Sequence, residues 1–359
     1  MHLSFVFGQN SISARNTTHK GTFNYIDNVD VLGLRFDRVL GLNKKLIKSD
    51  VWDRQILAFG KTEQKLFQDI KICIIGAGGI GSIIAEGLIR LGVKYIHIID
   101  YDNLESTNLN RWQGAKHSDV GSSKSGLLAK NLSTFQEDLK ISFSMDNVIS
   151  RKSIESIKEC DFIFSCVDNV EARFFLNKIS SRYLIPIFDT GVGIINDKDG
   201  ISTKWQNIII IPGYTRCFDC SVIRIYDKNI MSRTFFDNTT ANFMRSEGYI
   251  KDFPEMKEPA VYHLNLFASS ITLYEFHNYI SHFKDLNWCT SGDISRLNNI
   301  TNSIIKDTDF PSPSPLQALD SNFVEPQDKY CTNCFVYRGT GDYWSMDNFF
   351  TDNNIDLKT

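Results

Sequence analysis

The sequence lacks the long apolar run of a membrane helix. No stretch of its 359 residues reaches the roughly 18 consecutive apolar positions a spanning helix needs, and the opening MHLSFVFGQN breaks off too soon for a secretion signal. A cytoplasmic protein is expected. Excess charge of one sign is also missing: 39 basic against 42 acidic residues leave a net charge of −3, so neither nucleic acid nor a membrane surface is an expected partner. Proline is scarce, at 8 residues, and clusters in DFPSPSPLQALDSNFVEPQDKY (309–330), which reads as a loop. No internal repeat stands out. Cysteine is present 8 times but without the density of a disulfide scaffold. What remains is ordinary for a soluble globular chain: 42% hydrophobic, 23% charged, and long enough for one large α/β domain with additions.

The pattern of what is there is strand, helix, strand. KICIIG (71–76) is a short apolar run ending in glycine, and GIGSIIAEGLIRLGV (79–93) follows with helical spacing and a C-cap at Gly92. YIHIID (95–100), DFIFSCVD (161–168), IPIFDTGV (185–192) and KWQNIIIIP (204–212) read as further buried strands. NVEARFFLNKISSRYL (169–184) and AVYHLNLFASSITLYEFHNYI (260–280) read as helices. Strands apolar throughout and separated by helices predict a Rossmann-like, doubly wound, mostly parallel α/β sheet covered on both faces. WDRQILAFGKTEQKLFQ (52–68) reads as a turn and a short amphipathic helix. We divide the chain into an N-terminal appendage (1–50), a main domain (51–340) and a C-terminal tail (341–359).

Gly76-Ala77-Gly78-Gly79-Ile80-Gly81 lies between the first strand and its helix, the context that makes a glycine-rich loop informative. Gly76 suits a tight turn, Gly78 a close approach of backbone to phosphate, and Gly81 close helix–strand packing, with Gly79 opening the helix. Asp100 ends the next strand, where a carboxylate receives ribose hydroxyls. The same fingerprint serves NAD and FAD. Against that reading, Asp102, Asn108, Arg111 and Lys124 cluster just beyond Asp100, and the two cations with the Asn108 amide suit a nucleoside triphosphate better than a hydride carrier. Asp168 and Asn169 sit at the end of another core strand, and an acid there suits Mg²⁺, which favours carboxylates together with phosphate oxygens.

The motifs WDRQILAFG, ICIIGAGGIGS, IIDYDNLESTNLNR, DVGSSK, SCVDN, PGYTRCFDC and CTNC, in this order, resemble the ThiF/MoeB/MccB group of adenylating enzymes, relatives of the ubiquitin-activating enzymes. The resemblance implies ATP-dependent attack of a substrate carboxylate on the α-phosphate, giving an acyl-adenylate and pyrophosphate. By position it implies that Gly78 and Gly81 belong to the phosphate loop and that Asp100 holds the ribose. Asn108, Arg111 and Lys124 become phosphate and transition-state contacts, and Asp168 a Mg²⁺ ligand. Arg54 resembles an arginine that reaches the nucleotide from a partner subunit, which implies a homodimer. One position departs from the pattern: Trp112 follows Arg111 where the group usually has glutamine, with Gln113 one place later.

Two Cys-x-x-Cys pairs, Cys217/Cys220 and Cys331/Cys334, are flanked by turn residues and together suit a closed tetrahedral Zn²⁺ site rather than redox chemistry. Cys73 and Cys166 lie in apolar runs, as small buried hydrophobes do. The polar stretch 224–258, where a thioester-forming cysteine would be sought, contains none, which leaves Cys289 as the loop-like candidate and favours adenylation without an enzyme-bound thioester. The layout resembles the peptide-modifying MccB-like branch, which implies a ribosomally made precursor peptide as substrate and residues 1–50 as its recognition region. Two alternatives stay open: activation of the Gly-Gly terminus of a ubiquitin-like sulfur-carrier protein, and a non-enzymatic peptide-binding role.

Overall fold

The computed structural model describes residues 2–7, 12–17, 23–26, 28–33, 36–40, 50–136, 138–197, 200–218, 260–286, 289–293, 331–335 and 338–340. Three short strands, β1 (His2–Phe7), β2 (Ile12–Thr17) and β3 (Phe23–Ile26), pair antiparallel, and β4 (Asn28–Leu32) and β5 (Phe36–Leu40) form a hairpin. The hairpin is packed onto the main body. Phe36 is buried edge-on against Phe162, and Arg38 pairs with both Asp30 and Asp161. Tyr279 donates its hydroxyl to the Gly33 carbonyl at 3.2 Å.

The expected turn before the first amphipathic helix is itself helical. Helices α1 (Asp53–Phe59) and α2 (Lys61–Asp69) are separated by Gly60, whose φ of 96° breaks the run. The main sheet then follows in βα units: β6 (Lys71–Ile75), α3 (Gly79–Leu91), β7 (Tyr95–Ile99), α4 (Lys124–Ser133), β8 (Lys140–Ser144), α5 (Arg151–Lys158), β9 (Phe162–Ser165) and α6 (Val170–Tyr183). A long antiparallel pair, β10 (Ile187–Asp197) and β11 (Gly200–Ile210), precedes helix α7 (Tyr262–Ser281) and strand β12 (Cys289–Asp293). A single turn of helix, α8 (Thr332–Phe335), comes last among the described residues.

The seven strands run in the order β12-β11-β10-β9-β6-β7-β8. β8, β7, β6, β9 and β10 are parallel, and β11 and β12 extend the sheet antiparallel. Alternation along each strand sorts its side chains between two faces. Ile72, Ile74, Phe162, Phe164 and Phe188 join α3, α4 and α7 on one face, while Cys73, Ile75, Ile163 and Ile187 join α5 and α6 on the other. On the first face the rings of Phe164 and Phe188 stack at 5.3 Å, and Phe276 of α7 meets both edge-on at 5.0 and 5.2 Å.

The chain leaves β6 in one direction, toward β7 and β8, and later fills the other side of β6 with β9 and β10. The crevice between β6 and β9 is therefore the topological switch point, where α/β sheets bind ligands beyond the strand carboxyl ends. The register makes that edge level. Ile75 stands opposite both Ile99 and Ser165, so Gly76, Asp100 and Cys166 emerge side by side.

Candidate nucleotide site at the sheet edge

Gly76 turns the chain with φ of 90°, and a Cβ there would stand 2.7 Å from the Cys166 carbonyl oxygen, on the neighbouring strand end. A Cβ on Gly81 would run into the Gly76 carbonyl, so this glycine sets how closely α3 approaches β6. Among the described residues nothing stands within 4 Å of a Cβ built on Gly78, which leaves open space above it. Gly78 is also the N-cap of α3, with no side chain capping it, so the first-turn amides of a 13-residue helix face that space.

Ala77 is gripped at both of its peptide groups. Its N–H donates to Asp100 Oδ2 at 2.6 Å, and its carbonyl accepts the buried indole N–H of Trp112 at 2.6 Å. The other Asp100 oxygen accepts the Asp102 amide at 2.8 Å. Burial pushes the Asp100 carboxyl above its ordinary pKa, opposed by these two amides and by Lys124. Each carboxylate oxygen keeps a lone pair for a further donor. Asp102 in turn pairs with Lys124 Nζ at 2.7 Å, and the Lys124 amide donates to the Asp102 carbonyl. Lys124 is the first residue of α4, whose N-cap Ser123 accepts the Gly126 amide. That helix start is what aims Lys124 back at the β7 end.

Arg111 lies over the glycine loop: its carbonyl and Cγ would be 3.1 and 3.2 Å from a Cβ on Gly79. Its Nη1 donates to the Thr107 carbonyl and to Asn110 Oδ1. Asn108 serves the same turn, accepting the Glu105 amide at 3.0 Å, and so shapes the segment that carries Arg111. The Asn169 side chain caps α6 through the Ala172 amide at 2.8 Å. Asp168, just before it, is exposed. The phenol of Tyr101 is pushed up by Asp102, by partial burial, and by Asp168 and Asp100, which places three carboxylates around one exposed ring. Arg54 is exposed on α1 and is joined to none of these residues by an ion pair.

The strand end that carries Asp168 has its own brace. Arg173 of α6 donates Nε to the buried Asp189 at 3.1 Å and Nη2 to the Val167 carbonyl at 2.9 Å, while Ser165 donates to the same Asp189 oxygen at 2.5 Å. Neither this brace nor the grip on Ala77 was visible in the motif pattern. Trp112 had a signal, since it broke that pattern; Asp189 had none. Cys166, at the same edge, has its thiol pushed up by burial and by Asp189, so it does not offer a thiolate.

On the opposite face, sulfurs of Cys217, Cys331 and Cys334 lie within 4.8 Å of one another, with Cys217 and Cys331 Sγ 3.5 Å apart. Cys217 and Cys334 are buried. Cys220 lies outside the described residues, as do 224–258, 309–330 and 341–359; Cys289 lies on β12, opposite Ile208.

The family model described as "ThiF family" matches residues 52–280, more than half of the chain. The chain belongs to the ThiF family. Ubiquitin-like modifier-activating enzyme 5 of Drosophila virilis is 28% identical over 214 residues, covering 55% of this chain and 52% of that protein. SUMO-activating enzyme subunit 2 of Dictyostelium discoideum is 28% identical over 178 residues, covering 49% of this chain and 26% of that one. This ThiF-family chain thus spans between a quarter and about half of the length of these curated relatives. Among solved structures, E. coli MccB with AMPCPP and MccA has the same fold, with a TM-score of 0.52 at 20% identity over 69% of this chain and 68% of that one. Among the described residues no helix is long and apolar enough to cross a membrane.

Proposed function

We propose that this ThiF-family chain uses ATP to adenylate the terminal carboxylate of a peptide. The observation that carries the reading is the convergence, at one level sheet edge, of an uncapped helix start below open space with Arg111, Lys124 and Asp168. Phosphates laid on the α3 amides meet partial positive charge from below, and Arg111 and Lys124 supply full charges from the flank. Lys124 exchanges Asp102 for phosphate as its partner. Asp100, fixed through two backbone amides, keeps lone pairs for the ribose. The substrate carboxylate forms a bond to the α-phosphorus, and the bond to the bridging oxygen breaks to release pyrophosphate. No proton is taken up in this step, so what the site must supply is positive charge and alignment.

The donor set also fits two metals. Asp168, exposed, and Asp102, half-buried, beside the phosphate path fit Mg²⁺, which would supply charge neutralisation on the triphosphate when bound. Three clustered sulfurs fit Zn²⁺, with Cys220 as the fourth ligand; the ion would tie the C-terminal segment to the core. In a homodimer, Arg54 of one copy would serve the nucleotide of the other.

For the substrate, MccB crystallised with MccA supports a precursor peptide. The ubiquitin-like modifier-activating relatives support a ubiquitin-like carrier protein as the second reading. ATP–pyrophosphate exchange separates them: exchange stimulated by a precursor peptide supports the first, and exchange that requires a carrier ending in Gly-Gly supports the second. Asp168→Ala is expected to lower exchange by about 10²-fold or more at unchanged thermal stability. Wild-type exchange in that variant would remove Asp168 from the site.

A further inference from the structure

The N–H and the carbonyl of Ala77 are both held from outside the loop, and the two holders come from different segments. Asp100, at the end of β7, takes the N–H; Trp112, in the turn after Arg111, donates to the carbonyl. Trp112 is 3% exposed and packs in the core with Leu88, Leu104 and Leu128. Around it, Gln113 donates its amide to Ser82 Oγ, and Ser82 donates to the Gly79 carbonyl. The segment that carries Arg111 is thereby tied to the underside of the loop at two points.

The peptide planes on either side of Ala77 are thus each held at one group, the 76–77 plane through its N–H and the 77–78 plane through its carbonyl, and a held plane does not flip freely. Between two glycines, Ala77 would otherwise be the hinge of the turn, because Gly76 and Gly78 tolerate many backbone angles. A flip would carry the Ala77 carbonyl toward the space above Gly78 and set a partial negative charge where the phosphates lie.

We propose that Trp112 is a positioning residue for the nucleotide. Its indole N–H turns the Ala77 carbonyl away from the phosphate path and keeps the amides at the start of α3 presented to it. The proposal rests on the ATP reading for its consequence but not for its geometry, and the two are tested separately.

The loop is measured without nucleotide by amide hydrogen exchange of residues 76–81 in Trp112→Phe and in a second variant carrying 3-benzothienylalanine at position 112. That second side chain keeps the shape of indole and replaces the N–H by sulfur. Both are expected to raise exchange in 76–81 about tenfold, with β6 and α4 unchanged. Calorimetry and pyrophosphate exchange then follow on the same proteins. The dissociation constant and KM for ATP are expected to rise about tenfold, with kcat within about twofold, since the group acts on binding rather than on the reacting phosphorus. Unchanged loop exchange in the isosteric variant overturns the proposal, as does wild-type ATP affinity in it. Raised loop exchange in a protein whose wild type binds no ATP leaves the brace standing and overturns the ATP reading instead.

Discussion

The sheet edge and the sulfur cluster are assembled in different ways. Nearly all of the edge that cradles the glycine loop comes from residues 76–125, joined by hydrogen bonds among themselves: Ala77 to Asp100 and Trp112, Asp102 to Lys124, Ser125 to the Asp100 carbonyl. The sulfur cluster joins Cys217 to residues 114 and more positions away, with the Cys217 and Cys331 sulfurs 3.5 Å apart. A thiol is a weak donor and a weak acceptor, so such contacts add little by themselves. The edge is shaped in advance by its own hydrogen bonds. On the zinc reading, the cluster would be completed by the ion.

Substitutions can separate the two. The largest effect is expected from Gly81→Ala, whose methyl group meets the Gly76 carbonyl and forces α3 away from β6. Pyrophosphate exchange should fall by about 10²-fold, since a displacement near 1 Å costs that much in a positioned reaction. The zinc content of the same protein should stay at about one ion per chain. If zinc is lost together with activity, the two regions are not independent. The converse variant is Cys334→Ser, expected to remove the bound zinc and lower the thermal midpoint, with exchange altered by less than about threefold because distant sites act nearly additively. Metal analysis and a melting curve check it.

The smallest effect concerns pH and tests the edge strands alone. His97 of β7 holds Ser142 Oγ of β8 at 2.8 Å, and burial depresses its pKa below the ordinary value of 6.5. The neutral ring is the form that folding favours. Its contribution is complete above 6.5 and is lost as pH falls below that value toward the depressed folded pKa, because the unfolded chain takes up the proton first. His97→Gln should flatten the fall in stability between pH 7 and 5 without abolishing it, since burial depresses His277 as well. Denaturant titrations at several pH values read this out; an unchanged slope would show that His97 does not couple to folding.

Much of this architecture was legible because its signals are local. KICIIG and YIHIID are apolar at every position, as strands buried on both faces must be, and Gly92 stops α3 in a left-handed turn as its place after a helical run predicts. The level carboxyl edge follows from strand lengths that can be counted. Long-range features were hidden. Asp189 is a lone acid inside the run IPIFDTGV, and its burial against Arg173 and Ser165 depends on β10 lying beside β9. Phe36 sits in a polar, irregular opening segment, yet its ring belongs to the main core, something only the tertiary contact with Phe162 reveals. Trp112 stood out as an irregular residue, but its bond to Ala77 spans 35 positions.

The Arg38–Asp161 pair has a mechanical meaning. Asp161 immediately precedes β9, and Asp168 stands just past the far end of that strand, so the N-terminal hairpin clasps the foot of the same rod whose tip carries the acid. β5 is therefore fastened by a charged pair to the end of β9 away from the carboxylate, and the strand that leads to Asp168 is anchored at its foot.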